Sequence, residues 1–305
     1  MPNPRIALYR KFLTDTECDG LIALALNYST FSPKNGLSSL YLPIYPQLPP
    51  FVQAIERRIG AVTGYPPHPG EEPLNIHRID AMAVAAVGDA DHGRACVEVD
   101  GATADSCGLS VTSVHHDKVQ KEYSHATVLA YLVDIDDGGG TVWPCPMRYD
   151  NASGTAPTSY YAQPAAACET AFALRGRWFD GAEAVAYQRF QKHRAAPPLH
   201  AALQEVLLAS HYGCLFDGSS QAPPQPAWIA TPALRTAARK GDAVVFFHDH
   251  MDLTGDAQAF HAGCIPRSGD KWTMQKFKEL PQKYRPSADR VRQHHENTGP
   301  TSDEL

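Results

Sequence analysis

Residues 240–247 read KGDAVVFF, which predicts a turn followed by a buried β-strand. The next strand is predicted to open with FHAGC at residues 260–264. Other short apolar segments with β-branched residues, bounded by turn residues, predict strands at 74–79, 109–117, 127–133 and 272–277. The sequence therefore predicts a mainly β protein.

Two helices are predicted to support these strands. Thr14 and Glu17 have the spacing of a capping box, and apolar residues follow at helical intervals, which predicts a helix start. A second helix is predicted from about Pro50, ending where TGYPP at residues 63–67 prevents its continuation.

The chain has 305 residues, a length that a single catalytic domain can fill. We predict one domain at residues 1–285. Two stretches interrupt its strands and are interpreted as insertions: the Ala-, Gly- and Asp-rich residues 82–107, and residues 145–240, which are rich in Pro and Ala. Residues 286–305 are polar and are predicted to form a C-terminal tail.

The composition excludes several classes of function. Apolar residues make up 43% and charged residues 20%, values that are ordinary for a globular chain. No apolar run reaches the roughly 18 residues that a membrane-spanning helix needs. A net charge of -6 disfavours general attraction to nucleic acid. The expected partner is a small molecule or a polypeptide.

Seven cysteines occur without the close paired spacing of a zinc site. Because the number is odd, at least one thiol is expected to be free. Cys96 and Cys107 are close enough in sequence to form a disulfide in an oxidising compartment, with buried free thiols as the alternative.

The last four residues, Ser302-Asp303-Glu304-Leu305, resemble the signal that retains soluble proteins in the endoplasmic reticulum. The first residues do not form a secretory signal. We therefore expect a protein of the endoplasmic reticulum lumen whose signal peptide is absent from this chain. The alternative is a cytoplasmic protein with an acidic tail.

The strongest local motif is VHHD at residues 114–117. Side chains alternate along a strand, so His115 and Asp117 are expected to point to the same side. Non-haem iron oxygenases bind Fe(II) through two histidines and one carboxylate and leave the other positions open. A distant histidine must complete such a site, and His261 is the candidate. Lys271, on the following predicted strand, could pair with the distal carboxylate of 2-oxoglutarate; a solvated lysine is the alternative.

These motifs together resemble the prolyl 4-hydroxylase family, in its short plant- and alga-like form. The similar blocks cover roughly two thirds of the chain and occur in the family's order. They are FLTDTEC (12–18), IERRI (55–59), ATVLAYL (126–132), GGGTVWP (138–144), KGDAVVFF (240–247), LTGD (253–256), FHAGCIP (260–266) and GDKW (269–272).

The resemblance implies a double-stranded β-helix, a cupin-like jelly-roll, with supporting helices. It implies that His115, Asp117 and His261 bind iron, that Lys271 is catalytically essential as the ligand of 2-oxoglutarate, and that Thr141 assists in binding this cosubstrate. The implied reaction consumes dioxygen and 2-oxoglutarate, hydroxylates a peptidyl proline and releases succinate and CO2, as procollagen-proline 4-dioxygenases do. Ascorbate is the implied accessory cofactor, and a proline-rich polypeptide is the implied partner.

The sequence departs from the family pattern at one cosubstrate position. Ile79 stands where the family has a tyrosine that contacts 2-oxoglutarate, and Tyr123 and Tyr131 are both candidates to replace it. Directly after the His-x-Asp, where the family has an aromatic residue, this sequence has Lys118. These departures favour, as an alternative, a 2-oxoglutarate oxygenase that hydroxylates another side chain or a small molecule.

A catalytically silent binding module of the same fold is a further alternative, which predicts loss of a metal ligand or of the lysine. His248 and His250 form a separate His-x-His at a predicted strand end, and the pattern favours a surface loop for both.

Overall fold

The computed structural model describes residues 5–28, 37–80, 115–117, 124–145, 167–170, 206, 209–210, 213–214, 233–250, 255–267 and 269–280. The predicted insertion at 82–107, the Cys96–Cys107 pair, most of the 145–240 stretch and the tail at 286–305 lie outside these ranges. The predictions for those segments remain predictions.

Two helices lie near the start of the chain. Helix α1 spans Asp15–Leu26, and its Thr14 cap forms the predicted capping box with Glu17. Helix α2 spans Pro50–Thr63 and ends at Gly64, which has a φ of 79°. Both predicted helices are therefore confirmed. No helix within the described ranges has both the length and the apolar character needed to cross a membrane.

The described strands form two antiparallel sheets. The large sheet has the order β1-β7-β4-β9-β3-β2, and the small sheet has the order β6-β5-β8. The strands are β1 (Ile6–Tyr9), β2 (Leu37–Tyr41), β3 (Asn75–Asp80), β4 (Ser124–Tyr131), β5 (Thr141–Trp143), β6 (Leu234–Thr236), β7 (Ala243–Phe247), β8 (Ala262–Gly263) and β9 (Asp270–Glu279).

From β4 onward the chain moves between the sheets: β4 in the large sheet, β5 and β6 in the small one, β7 in the large, β8 in the small and β9 in the large. A bridge between His115 and His261 adds a further chain segment beside β8. This winding, together with the few helices, confirms the predicted mainly β fold with a jelly-roll core. Strand β6 lies inside the 145–240 stretch, so the end of that stretch belongs to the small sheet.

One face of the large sheet packs against the two helices. Its apolar cluster joins Leu21 of α1 and Ile55 of α2 to Val128 and Met274 of the central strands, and all four side chains are fully buried. Since side chains alternate, the opposite face of β4 and β9 looks toward the small sheet. The hydroxyl of Tyr131, which lies 2.6 Å from that of Thr236, shows this contact between the sheets. The side chains of the site predicted from the sequence are therefore expected between the two sheets.

The turn before β5 requires glycine. A Cβ atom at Gly140 would overlap the carbonyl oxygen of Thr236, and Gly138 has a φ of 80°. The GGG sequence at 138–140 therefore lets the backbone approach β6 and fixes the start of β5, where Thr141 lies.

Candidate metal centre

The structure brings His115, Asp117 and His261 together, although His261 lies far away in sequence. His115 and His261 exchange two backbone hydrogen bonds of 3.0 Å, and Asp117 lies two residues after His115. One ligand atom from each of the three residues lies within 4.8 Å of the others. Nε2 of His115 is 3.4 Å from Oδ1 of Asp117, and Nε2 of His261 is 3.7 Å from Oδ2. This spacing fits three ligands around one cation.

A backbone contact orients the ring of His261. Its Nδ1 lies 3.0 Å from the carbonyl oxygen of Ala259. Because a carbonyl only accepts, Nδ1 carries the proton and donates it, which leaves the lone pair of Nε2 for a cation. Burial lowers the pKa of His261 to about 4, despite the attraction of Asp117. The ring is therefore neutral near pH 7, as metal binding requires.

The carboxylate of Asp117 is buried and ionised. Burial alone would raise the pKa of this group, but the nearby rings of His261, His115 and His248 hold the pKa well below its usual value. Oδ2 accepts a 2.6 Å hydrogen bond from the hydroxyl of Thr127. Oδ1 is buried and accepts no hydrogen bond from the described residues. A buried carboxylate oxygen in this position needs a cation or another donor, so the site fits a metal ion.

Lys271 lies on β9, with its side chain between the two sheets, and only 4% of the residue is exposed. Its Nζ donates to the carbonyl oxygens of Gly140 at 3.0 Å and Cys264 at 3.4 Å. Burial lowers the pKa of Lys271 to about 7. No salt bridge joins Lys271 to a carboxylate in the described parts of the chain, so its charge is available to an anionic ligand.

Thr141 and Tyr131 lie beside this lysine. Thr141 directly follows Gly140, and its hydroxyl accepts a 2.8 Å hydrogen bond from the hydroxyl of Tyr131. In the register of β4 and β9, Tyr131 is opposite Thr273, two residues from Lys271 and on the same face. Burial raises the pKa of Tyr131 to about 12, so its hydroxyl keeps its proton at neutral pH.

The position of Tyr131 bears on the tyrosine that the sequence lacks at residue 79. Ile79 is opposite Lys271 in the register of β3 and β9. Tyr131 therefore supplies a hydroxyl near Lys271 from the neighbouring strand. Tyr123 lies outside the described residues.

Strand β8 lies between the three candidate metal ligands and a backbone carbonyl that Lys271 contacts. His261 directly precedes β8, and Cys264, whose carbonyl accepts from Lys271, directly follows it. The extended chain from His261 to Cys264 spans about 10 Å. A disulfide between Cys214 and Cys264 fixes the far end of this strand.

The sequence interpretation missed His248. The surface-loop prediction is wrong for this residue, which is fully buried, whereas the side chain of His250 is 37% exposed. Nε2 of His248 lies 3.2 Å from Oδ2 of Asp117 and 2.9 Å from the hydroxyl of Thr127. The alternation of Val244, Phe246 and His248 along one face of β7 and its continuation was the available signal.

Comparison with solved structures finds matches at low sequence identity and low TM-score. The viral collagen prolyl hydroxylase of Paramecium Bursaria Chlorella virus-1, in its 2OG complex, is 12% identical, with a TM-score of 0.40 over 90% of this chain and 96% of that one. A Pseudomonas putida prolyl-4-hydroxylase is 8% identical, with a TM-score of 0.37 over 92% and 95% of the two chains. HygX from Streptomyces hygroscopicus, with nickel and 2-oxoglutarate bound, is 13% identical, with a TM-score of 0.37 over 94% and 89%.

No protein-family model matches the sequence, and no curated protein matches it. The functional interpretation therefore rests on the side chains of the site and on the sequence motifs.

Proposed function

We propose that the protein is an Fe(II)- and 2-oxoglutarate-dependent dioxygenase that hydroxylates a peptidyl proline and releases succinate and CO2. One observation carries the proposal: the cluster of His115, Asp117 and His261 lies one short strand away from Lys271, a buried lysine without a carboxylate partner among the described residues. A metal centre and a buried cation at this separation suit a ligand with a chelating end and an anionic end.

Two histidines and one carboxylate are the ligand set of non-haem iron oxygenases. His115, Asp117 and His261 would hold the metal, and bound iron would supply the activation of dioxygen. The three residues come from two adjacent chain segments and would hold the metal together. The presence of Asp117 favours hydroxylation over halogenation, because the family resemblance implies that relatives which halogenate lack this carboxylate.

Lys271, Thr141 and Tyr131 would bind the distal carboxylate of 2-oxoglutarate. Lys271 offers the charge, while Tyr131 and Thr141 offer hydroxyl groups that already bond each other at 2.8 Å. A zinc hydrolase with the same three metal ligands would leave the buried lysine unexplained. A silent binding module would not require all three metal ligands and the lysine to be present together.

A proline-rich polypeptide is the proposed substrate. The support comes from the order and content of the sequence blocks that resemble prolyl 4-hydroxylases. Such a substrate binds at low entropic cost, because polyproline II segments are already extended. The alternative substrate is another side chain or a small molecule, which the replacement of the expected tyrosine by Ile79 favours. Ascorbate is proposed as the reductant that keeps the iron ferrous.

The endoplasmic reticulum lumen is the proposed location. Disulfides join Cys145 to Cys168 and Cys214 to Cys264, and such bonds persist in oxidising compartments. Cys18 is a buried free thiol. The two bonds favour the lumen over the cytoplasm.

The test is hydroxylation of a synthetic proline-rich peptide by the purified protein with Fe(II), 2-oxoglutarate and ascorbate. We expect peptide-dependent succinate formation and the mass gain of one oxygen atom on a proline. A matched peptide with alanine at each proline is the control. Succinate formation that neither peptide stimulates would reject the proline assignment and keep the oxygenase chemistry.

A further inference from the structure

Two buried polar groups converge on the oxygen of Asp117 that faces away from His115. The hydroxyl of Thr127 lies 2.6 Å from Oδ2, and Nε2 of His248 lies 3.2 Å from the same oxygen. Thr127, His248 and Asp117 are each 1% exposed or less. Water therefore does not compete for these contacts.

The direction of the hydrogen bonds follows from chemistry. The hydroxyl of Thr127 donates its single proton to Oδ2 of Asp117. The oxygen of Thr127 must then accept from Nε2 of His248, which lies 2.9 Å away. His248 therefore carries a proton on Nε2, which the oxygen of Thr127 accepts at 2.9 Å and Oδ2 of Asp117 shares at 3.2 Å.

We infer that Thr127 and His248 are positioning residues that occupy Oδ2 of Asp117, so that the carboxylate binds the metal through Oδ1 alone. The inference rests on the proposed metal site. It adds two residues that the sequence motifs did not indicate, one on β4 and one just after β7.

Binding through one oxygen matters for the chemistry. A carboxylate that used both oxygens would occupy an additional position on the ion. The proposed reaction needs open positions for 2-oxoglutarate and dioxygen beside the three protein ligands. Oδ2 lies 3.7 Å from Nε2 of His261, but Thr127 and His248 already occupy it. Oδ1 has no hydrogen bond among the described residues and lies 3.4 Å from Nε2 of His115.

The strands explain why the arrangement is rigid. Thr127 pairs with Phe246 on one side and with Phe277 on the other, so it lies in the middle of the large sheet. His248 is held by a 2.9 Å backbone hydrogen bond from its N–H to the carbonyl oxygen of His125. Asp117 is thus oriented from the large sheet, while His115 and His261 would hold the metal from beside the small sheet.

The experiment measures Co(II) affinity by calorimetry and the Co(II) visible spectrum, with no turnover required. Thr127→Val keeps the shape of the side chain and removes the donor. We expect it to weaken Co(II) binding by about 10- to 100-fold, the usual effect of losing a group that orients a metal ligand. The intensity of the Co(II) bands, which reports coordination number, is expected to change as well. Thr127→Ser keeps the hydroxyl donor. Its Co(II) affinity is expected to be within about threefold of the wild type, a much smaller change than for Thr127→Val.

Thr63→Val is the matched control. Thr63 is a buried threonine whose hydroxyl donates 2.8 Å to the carbonyl oxygen of Ile59 in α2, away from the site. Its substitution is expected to leave Co(II) affinity and spectrum unchanged.

His248→Phe and His248→Gln form a second pair that tests the same point if Thr127→Val does not fold. Phe removes the donor, while Gln can restore it. We expect weaker Co(II) binding for Phe and recovery for Gln.

Wild-type Co(II) affinity and spectrum in both Thr127→Val and His248→Phe would overturn the positioning role and leave the proposed function intact. A wild-type protein that does not bind Co(II) would instead reject the proposed metal site itself.

Discussion

The Nζ group of Lys271 donates a 3.0 Å hydrogen bond to the carbonyl oxygen of Gly140, the residue that precedes Thr141. The lysine is buried against neutral groups, which lowers its pKa to about 7. In the ligand-free protein the charge of Lys271 is therefore sensitive to pH near neutrality. An anionic ligand would complete the environment of the ammonium group.

The affinity for 2-oxoglutarate should therefore depend on pH. The dianion binds the charged lysine, so above the ligand-free pKa of about 7 binding must take up a proton. With saturating metal, the apparent Kd measured by calorimetry should rise by up to about tenfold per pH unit above 7. The ligand-free protein itself should gain stability with rising pH between about 7 and 10, because the unfolded lysine holds more protons there.

Two variants control this prediction. Lys271→Arg keeps its charge over the whole range, so this pH dependence should disappear, although affinity can fall for reasons of fit. Lys271→Met should bind weakly at every pH. A wild-type Kd that is flat from pH 6 to 9 would contradict the role of Lys271.

Tyr131→Phe should weaken 2-oxoglutarate binding without preventing metal binding. The substitution removes the hydroxyl that donates 2.8 Å to Thr141. Loss of one hydrogen bond corresponds to about 0.5–1.5 kcal/mol, so the KM for 2-oxoglutarate should rise by up to about tenfold. Tyr41→Phe, at a side chain that is 58% exposed, should have no effect. A KM equal to that of the wild type would exclude Tyr131 from the cosubstrate site.

The sequence predicted some of these residues and missed others for physical reasons. Alternation within VHHD was enough to pair His115 with Asp117, because side-chain direction on a strand is local. His261 and Lys271 needed the resemblance to a family, since nothing local relates them to residue 115. His248 was missed because the predicted strand ended at Phe247, so the alternation of Val244 and Phe246 was not extended to the next residue on that face.

Other features depend on tertiary contacts alone. Strand β6 was not predicted because it has only three residues, and its Leu234 is 37% exposed. The helices and most long strands were predicted, because capping residues and apolar periodicity specify them locally. The capping box at Thr14 and the helix stop at Gly64 are examples.

A buried charge network on the helix-facing side of β9 could not be predicted for the same reason. Nζ of Lys276 lies 2.9 Å from Glu56 of α2 and 3.2 Å from Glu71, and Lys278 also pairs with Glu71. All four residues are at most 4% exposed. Their pairing depends on how α2 packs on the sheet.

Removing one member of this network should destabilise the fold strongly. Lys276→Met leaves Glu56 and Glu71 without one of their cations, and should lower the free energy of unfolding by about 3–5 kcal/mol in urea titrations. Arg239→Met is the control, because Arg239 pairs with Asp136 at the surface, where the two side chains are 48% and 92% exposed. This control should cost less than about 1 kcal/mol. A similarly small loss for Lys276→Met would contradict the buried network.

The disulfide between Cys214 and Cys264 closes a sequence separation of 50 residues. Cys214→Ala should lower the free energy of unfolding by about 2–5 kcal/mol under oxidising conditions. In a reducing agent that breaks the bond in the wild type, the difference between the two proteins should largely disappear. A difference that is unchanged by reduction would show that packing of Cys214, and not the bond, is responsible.

We propose that His115, Asp117 and His261 bind iron for a reaction with 2-oxoglutarate. The most direct measurement is Fe(II)-dependent conversion of 2-oxoglutarate to succinate, together with Fe(II) affinity, in the wild type and in Asp117→Ala and His261→Ala. We predict that the wild type binds Fe(II) and forms succinate, and that both variants keep their fold but lose iron binding and succinate formation. A wild-type protein that binds no Fe(II), or variants that form succinate at the wild-type rate, would contradict the claim.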